Sequence, residues 1–125
     1  MKTLGLVLLL LSAEKEKEKD VFACNLRGLT EAQRARHGEL TRRLLATVLE
    51  QRELTDGYAF RLPPSQLVEA AEWVTYEHKC CPFFTLTLAQ ARDDDGPLWL
   101  EVTGAQGVKA FIVREFALTP RTPPR

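Results

Sequence analysis

Leu40, Leu44 and Val48 recur at the spacing of one helical face, and Leu45 and Leu49 widen the stripe. Thr30 stands where an N-cap belongs, with Gln33 placed to reach back to it. The pattern predicts a first helix over 30–49. Gly38 inside it costs about 1 kcal/mol relative to alanine. Arg34, Arg36, Arg42 and Arg43 read as its solvated side, with His37 exposed beside them. Asp56-Gly57 then separates two runs compatible with strands and predicts a hairpin. Pro63-Pro64 stops the second strand, and Ser65 is placed to cap another helix. Leu67, Ala71 and Val74 form the expected buried stripe of that helix, and His78 and Cys81 continue its line. Pro82 disfavours helical geometry at Cys81, so the helix should end at the cysteine pair.

Farther on, Phe84, Leu86 and Leu88 alternate with Thr85 and Thr87. Leu98, Leu100 and Val102 alternate in the same way with Trp99, Glu101 and Thr103, as half-buried strands do. The polar stretch Arg92-Asp93-Asp94-Asp95-Gly96-Pro97 suits an antiparallel reversal between them. After Gly104 and Gly107, Val108, Phe111, Ile112 and Phe116 share one face of a last helix. The expected class is α+β: a small, mainly antiparallel sheet with about three helices packed on one side.

The two ends follow different patterns. Lys2, the apolar run Leu4–Leu11 and Ser12-Ala13 have the order of a signal peptide over 1–13, although Leu11 departs from the small residue expected before cleavage. The run is shorter than the about 20 apolar residues that a membrane span needs, so the mature product carries no stable span. This predicts export, periplasmic or secreted; a cytoplasmic location follows if the run is a buried first element instead. Residues 14–20 alternate Glu and Lys before Asp20 and read as a charged linker. A single domain is expected over 21–118, opening with Val21–Leu26 as a strand or an extended arm, and 119–125 form a proline-rich disordered tail.

Composition narrows the function. The 125 residues are 45% hydrophobic and 27% charged, with formal net charge zero, so no global basic field favours nucleic acid as a partner. No internal repeat or nucleotide fingerprint occurs. Asp93, Asp94 and Asp95 lack the spacing of a calcium loop. Glu69, Glu72 and Glu77 read first as a charged helix face, with an acidic pocket as the alternative. Trp73, Tyr76, Trp99 and Phe60 are candidates for the core or for a homodimer contact.

The chemistry concentrates in three cysteines. On a helix, Glu77, Cys80 and Cys81 stand at i, i+3 and i+4, and His78 and Cys81 are three apart. Cys80, Cys81 and Cys24 offer soft sulfur donors, with Glu77 or His78 as supplementary oxygen or nitrogen donors. The leading expectation is a small protein that binds a thiophilic metal ion through this cluster, without any requirement for turnover. A thiol-disulfide redox protein or sensor uses the same atoms, because three cysteines in an exported chain leave an odd thiol. Against that reading, a helix C-terminus disfavours a thiolate. Against the metal reading, adjacent cysteines are an unusual spacing for structural zinc. A structural or protein-interaction domain with an inert disulfide is the third alternative.

The segment Glu77, Cys80, Cys81, Pro82 and Phe83 resembles the Glu-x-x-Cys-Cys-Pro-Phe motif of a family of small bacterial proteins of uncharacterised function. The similarity extends over Ala23–Leu26, Gly57–Phe60, Leu98–Leu100, Thr103-Gly104 and Gly107, most of residues 22–116, and leaves out both ends. The resemblance implies a family label and no activity.

Overall fold

The computed structural model describes residues 22–93 and 96–118. The segments expected as a signal peptide, a charged linker and a disordered tail, and the first residue of the expected domain, all lie outside the described residues.

Helix α1 spans Glu31–Ala46 and opens with a capping box. The Gln33 amide donates to Thr30 Oγ1 at 3.1 Å, and the Thr30 amide donates to Gln33 Oε1 at 3.0 Å. Two amides with no helical partner are thereby satisfied. The helix stops short of the expected residue 49, because the amide of Leu49 already donates to Arg61 O at 2.8 Å. Strand β1, Glu50–Leu54, follows at once and pairs with β2, Gly57–Leu62. Leu54 faces Gly57 at the tight end of this hairpin.

A 3-10 turn over Pro64–Gln66 replaces the expected Ser65 side-chain cap and leads into α2, Leu67–Cys80. This helix buries Ala70, Trp73, Glu77 and Cys80, not the stripe of Leu67, Ala71 and Val74. The difference is a rotation of about 100°, one residue of helix, and it places the large Trp73 side chain in the core. The indole N–H stays satisfied there by donating to Thr41 Oγ1 at 2.9 Å.

Strands β3, Thr85–Gln90, and β4, Leu98–Thr103, form the second hairpin, and α3 spans Val108–Glu115. The sheet is antiparallel throughout, in the order β1-β2-β4-β3. The class is thus α+β, with three α-helices and a four-stranded sheet among the described residues. In β4, Leu98, Leu100 and Val102 are buried and the alternate residues are partly exposed. Tyr58, Phe60 and Leu62 of β2 join them in one core with Leu40 and Leu44 of α1, Trp73 of α2 and Phe111 and Ile112 of α3. On the opposite sheet face the Arg52 guanidinium lies 4.5 Å above the Trp99 ring.

Two of the arginines expected on a solvated face instead tie α1 to α2. Arg36 donates to both carboxylate oxygens of Glu72, at 2.8 and 3.0 Å, and Arg43 donates to Glu69 at 2.8 Å. The hydrogen bonds from Arg36 hold the Glu72 carboxyl below its usual range. Glu69 and Glu72 are therefore consumed by interhelical pairing and do not line an acidic pocket with Glu77.

At Gly57 the β2 backbone runs so close to β4 that an added Cβ would collide with Val102 O. Gly57→Ala is expected to force the two central strands apart and destabilise the fold by about 1–3 kcal/mol. An unchanged urea midpoint would contradict this account of the strand spacing.

Candidate functional site

The last turn of α2 projects Glu77 and Cys80 into the core. The Cys81 amide makes the closing helical bond to Glu77 O at 2.7 Å, and Cys81 itself leaves helical geometry with φ −129° and ψ 68°. Pro82 dictates this exit, since it lacks an amide hydrogen and disfavours a helical predecessor. Both cysteines are 0% exposed.

The N-terminal residues close over this end as an extended arm, resolving the choice between arm and strand. The Asn25 amide donates to Cys80 O at 2.7 Å, and a 3-10 turn over Leu26–Gly28 follows. Gly28 packs so closely that an added Cβ would lie 3.1 Å from Lys79 O. Phe22 packs edge-on against Phe83, with ring centroids 5.4 Å apart. The arm thus delivers Cys24, which forms a disulfide with Cys81 across a Cα separation of 4.8 Å.

Cys80 remains a free thiol. Its Sγ lies 3.6 Å from Cys81 Sγ, 3.6 Å from Glu77 O and 3.9 Å from Glu77 Oε2. Burial, reinforced by the neighbouring Glu77 carboxylate, pushes the thiol from its ordinary 9.0 up to about 12. In the disulfide-bonded state the sulfur nearest the bridge is therefore a protonated thiol at neutral pH and a poor nucleophile.

Glu77 is only 2% exposed, and a buried carboxylate requires a partner. His37 of α1 supplies it: Nε2 lies 2.5 Å from Glu77 Oε2. The imidazole stacks on Trp73 with an interplanar angle of 13°, and its backbone carbonyl accepts from Thr41 Oγ1 at 2.7 Å. Thr41 Oγ1 in turn accepts from the Trp73 indole, so α1 and α2 hold the Glu77–His37 pair from both sides.

The structure brings Cys24, Cys80, Cys81 and Glu77 together, with one potential ligand atom from each inside a group whose members lie within 4.8 Å of one another. His78, expected as a supplementary donor, is exposed and stands outside that group. The one-residue rotation of α2 accounts for this placement of His78. His37, expected to be exposed, is instead 15% exposed and bonded to the cluster's carboxylate. A signal for it was available, because His37 lies three and seven residues before the buried Leu40 and Leu44, in phase with their stripe.

Fold and site together define a small α+β domain with a buried cysteine–carboxylate centre beneath a disulfide-tethered arm. Comparison of the chain with protein-family models, curated proteins and solved structures finds no match in any of the three. No helix among the described residues is long and apolar enough to cross a membrane.

Two measurements test this centre. The disulfide closes a sequence separation of 57, so Cys24→Ser should lower the stability of the oxidised protein by about 4 kcal/mol. Equal denaturation midpoints for Cys24→Ser and oxidised wild type would show that the arm is not clamped. For Cys80 the folded-state value is raised, so the stability it contributes is complete below pH 9.0 and is lost progressively as pH rises to about 12. The difference in stability between wild type and Cys80→Ala should shrink across that interval; a constant difference would contradict the buried-thiol assignment.

Proposed function

We propose that the protein binds a thiophilic metal ion in its reduced state, through Cys24, Cys80 and Cys81 with Glu77 as an oxygen donor. The disulfide-bonded form is then the metal-free, oxidised state of the same centre. The observation that supports this reading most is the convergence of four ligand atoms within 4.8 Å. Tetrahedral zinc with Zn–S bonds of about 2.3 Å separates its sulfurs by about 3.8 Å. Cys80 Sγ and Cys81 Sγ are 3.6 Å apart, so the adjacent pair has suitable spacing despite its unusual sequence separation.

Interconversion requires a dithiol or glutathione-class reductant. Two electrons and two protons convert the Cys24–Cys81 disulfide to two thiols, and metal binding then displaces protons from the thiols that become ligands. No turnover is involved. In an exported setting, as the N-terminal pattern suggests, the oxidising surroundings favour the disulfide. Membership of the Glu-x-x-Cys-Cys-Pro-Phe family belongs to the same proposal.

A second reading, thiol-disulfide exchange, draws support from the 3.6 Å approach of the Cys80 thiol to the Cys81 sulfur. In that reaction the Cys80 thiolate attacks Cys81 Sγ, a Cys80–Cys81 disulfide forms, and Cys24 departs as a thiolate that takes up the released proton. The raised Cys80 value makes its thiolate scarce and slows this attack in the disulfide-bonded state.

Metal analysis of untagged protein should find one equivalent when reduced and none when oxidised, with weaker binding in Cys24→Ser, Cys80→Ser and Cys81→Ser. Affinity should rise at least about tenfold per pH unit near neutrality, because the Cys80 proton must leave. Absence of stoichiometric metal from the reduced protein would overturn the proposal. Mapping of a Cys80–Cys81 disulfide in oxidised protein would support exchange instead.

A further inference from the structure

We propose that the bound ion is a divalent, four-coordinate cation of the zinc class, and that His37 is the positioning residue that holds Glu77 in the fourth coordination place. This rests on the metal-binding reading above and adds the class of ion and a residue that does not itself touch it.

Three sulfurs alone would suit a monovalent soft ion such as copper(I), which binds thiolates without needing an oxygen donor. The centre contains more than sulfur. Glu77 is 2% exposed in an otherwise apolar core, and its Oε2 lies 3.9 Å from Cys80 Sγ. His37 already partners this carboxylate on one side, and a cation among the sulfurs would partner it on the other. In the reduced, metal-bound centre three thiolates and one carboxylate would bring four negative charges to one point. A dication leaves less of that charge uncompensated in a buried site than a monocation does, and zinc-class ions accept sulfur and carboxylate oxygen together in a tetrahedron.

The orientation of Glu77 is fixed from outside the ligand set. His37 Nε2 and Glu77 Oε2 share a hydrogen bond across 2.5 Å. The swing of His37 is limited by its ring stacking on Trp73, with centroids 6.3 Å apart and planes inclined by 13°. This is the arrangement by which outer-shell partners aim a ligand, and disrupting such partners typically weakens metal affinity about 10–100-fold. The dependence is selective: an ion that needs the oxygen loses affinity when His37 is removed, whereas an ion bound by sulfur alone does not.

The test titrates Co2+, as the spectroscopic probe for zinc-class geometry, and copper(I) into the reduced full chain under anaerobic conditions. Wild type, His37→Ala and His37→Gln are compared, since glutamine can present an N–H near the position of Nε2. Wild type should bind one Co2+ with the intense visible bands of a four-coordinate ion. In His37→Ala the Co2+ affinity should fall about 10–100-fold and the bands weaken, with copper(I) affinity unchanged and His37→Gln restoring both Co2+ signals. Equal losses for the two ions would show a general structural role, and an unchanged Co2+ affinity and spectrum would show that His37 positions nothing; either overturns the inference while leaving metal binding intact. Preference for copper(I) with no four-coordinate Co2+ spectrum in wild type overturns the assigned ion class. If reduced wild type binds neither ion, the metal reading itself fails and this inference fails with it.

Discussion

The end of helix α2 is the point on which the rest of the site depends, because Pro82 prevents the chain from continuing in helical geometry there. With the helix stopped, Cys80 still points into the core from its last turn, and Cys81 turns toward the N-terminal arm. Had the helix run one turn farther, Cys81 would have kept its place on the helix surface next to Cys80. The proline therefore separates the roles of two adjacent cysteines: one bridges to Cys24 and the other remains a buried thiol. The same termination leaves the Cys80 carbonyl free to accept the Asn25 amide, which seats the arm beside its own disulfide.

Burying Glu77 places a second constraint on the fold, and α1 satisfies it. A buried carboxylate without a partner would be destabilising by several kcal/mol, so α1 must present His37 at one height along α2. Thr41 and Trp73 set that height by a shared hydroxyl, and Arg36–Glu72 and Arg43–Glu69 fix the same register at the helix surface. Surface ion pairs of this kind contribute little stability individually. Their value here is geometric, since a slide by one turn would separate His37 from Glu77 and leave two polar groups unpaired in the core.

Much of the architecture was legible in the sequence because its signals are local. The Thr30–Gln33 capping box, the Asp56-Gly57 hairpin, the alternation in Leu98–Thr103 and the face shared by Val108, Phe111 and Ile112 each depend on residues within a few positions of one another. The errors arose where distant partners decide the outcome. Val48 and Leu49 keep helical spacing, yet β2 takes the Leu49 amide. The aliphatic residues of α2 suggested one phase, while Trp73 and Glu77 imposed another. A glutamate reads as solvent-facing until its histidine is known, and His37 lies forty residues away in the chain. The Cys24–Cys81 pairing was equally hidden, because the spacing of three cysteines does not say which thiol the arm will meet.

The arm is also the part that must move if a disulfide and a metal ion are to share one set of sulfurs. Glu77, Cys80 and Cys81 are fixed by the end of α2, whereas Cys24 arrives on an extended segment held by one backbone hydrogen bond to Cys80, by Phe22 packing and by the disulfide itself. Opening the bridge removes the covalent restraint and lets two sulfurs separate from bonding distance to the spacing of a tetrahedral edge. A shift of that size needs no rearrangement of the sheet or of α1. It requires the arm to withdraw slightly while the Asn25 amide and the Phe22 ring keep it near the helix end. An ion bound among the same sulfurs would then restore the tether that reduction had removed, so the proposed metal-bound state would close the arm over the core as the disulfide does.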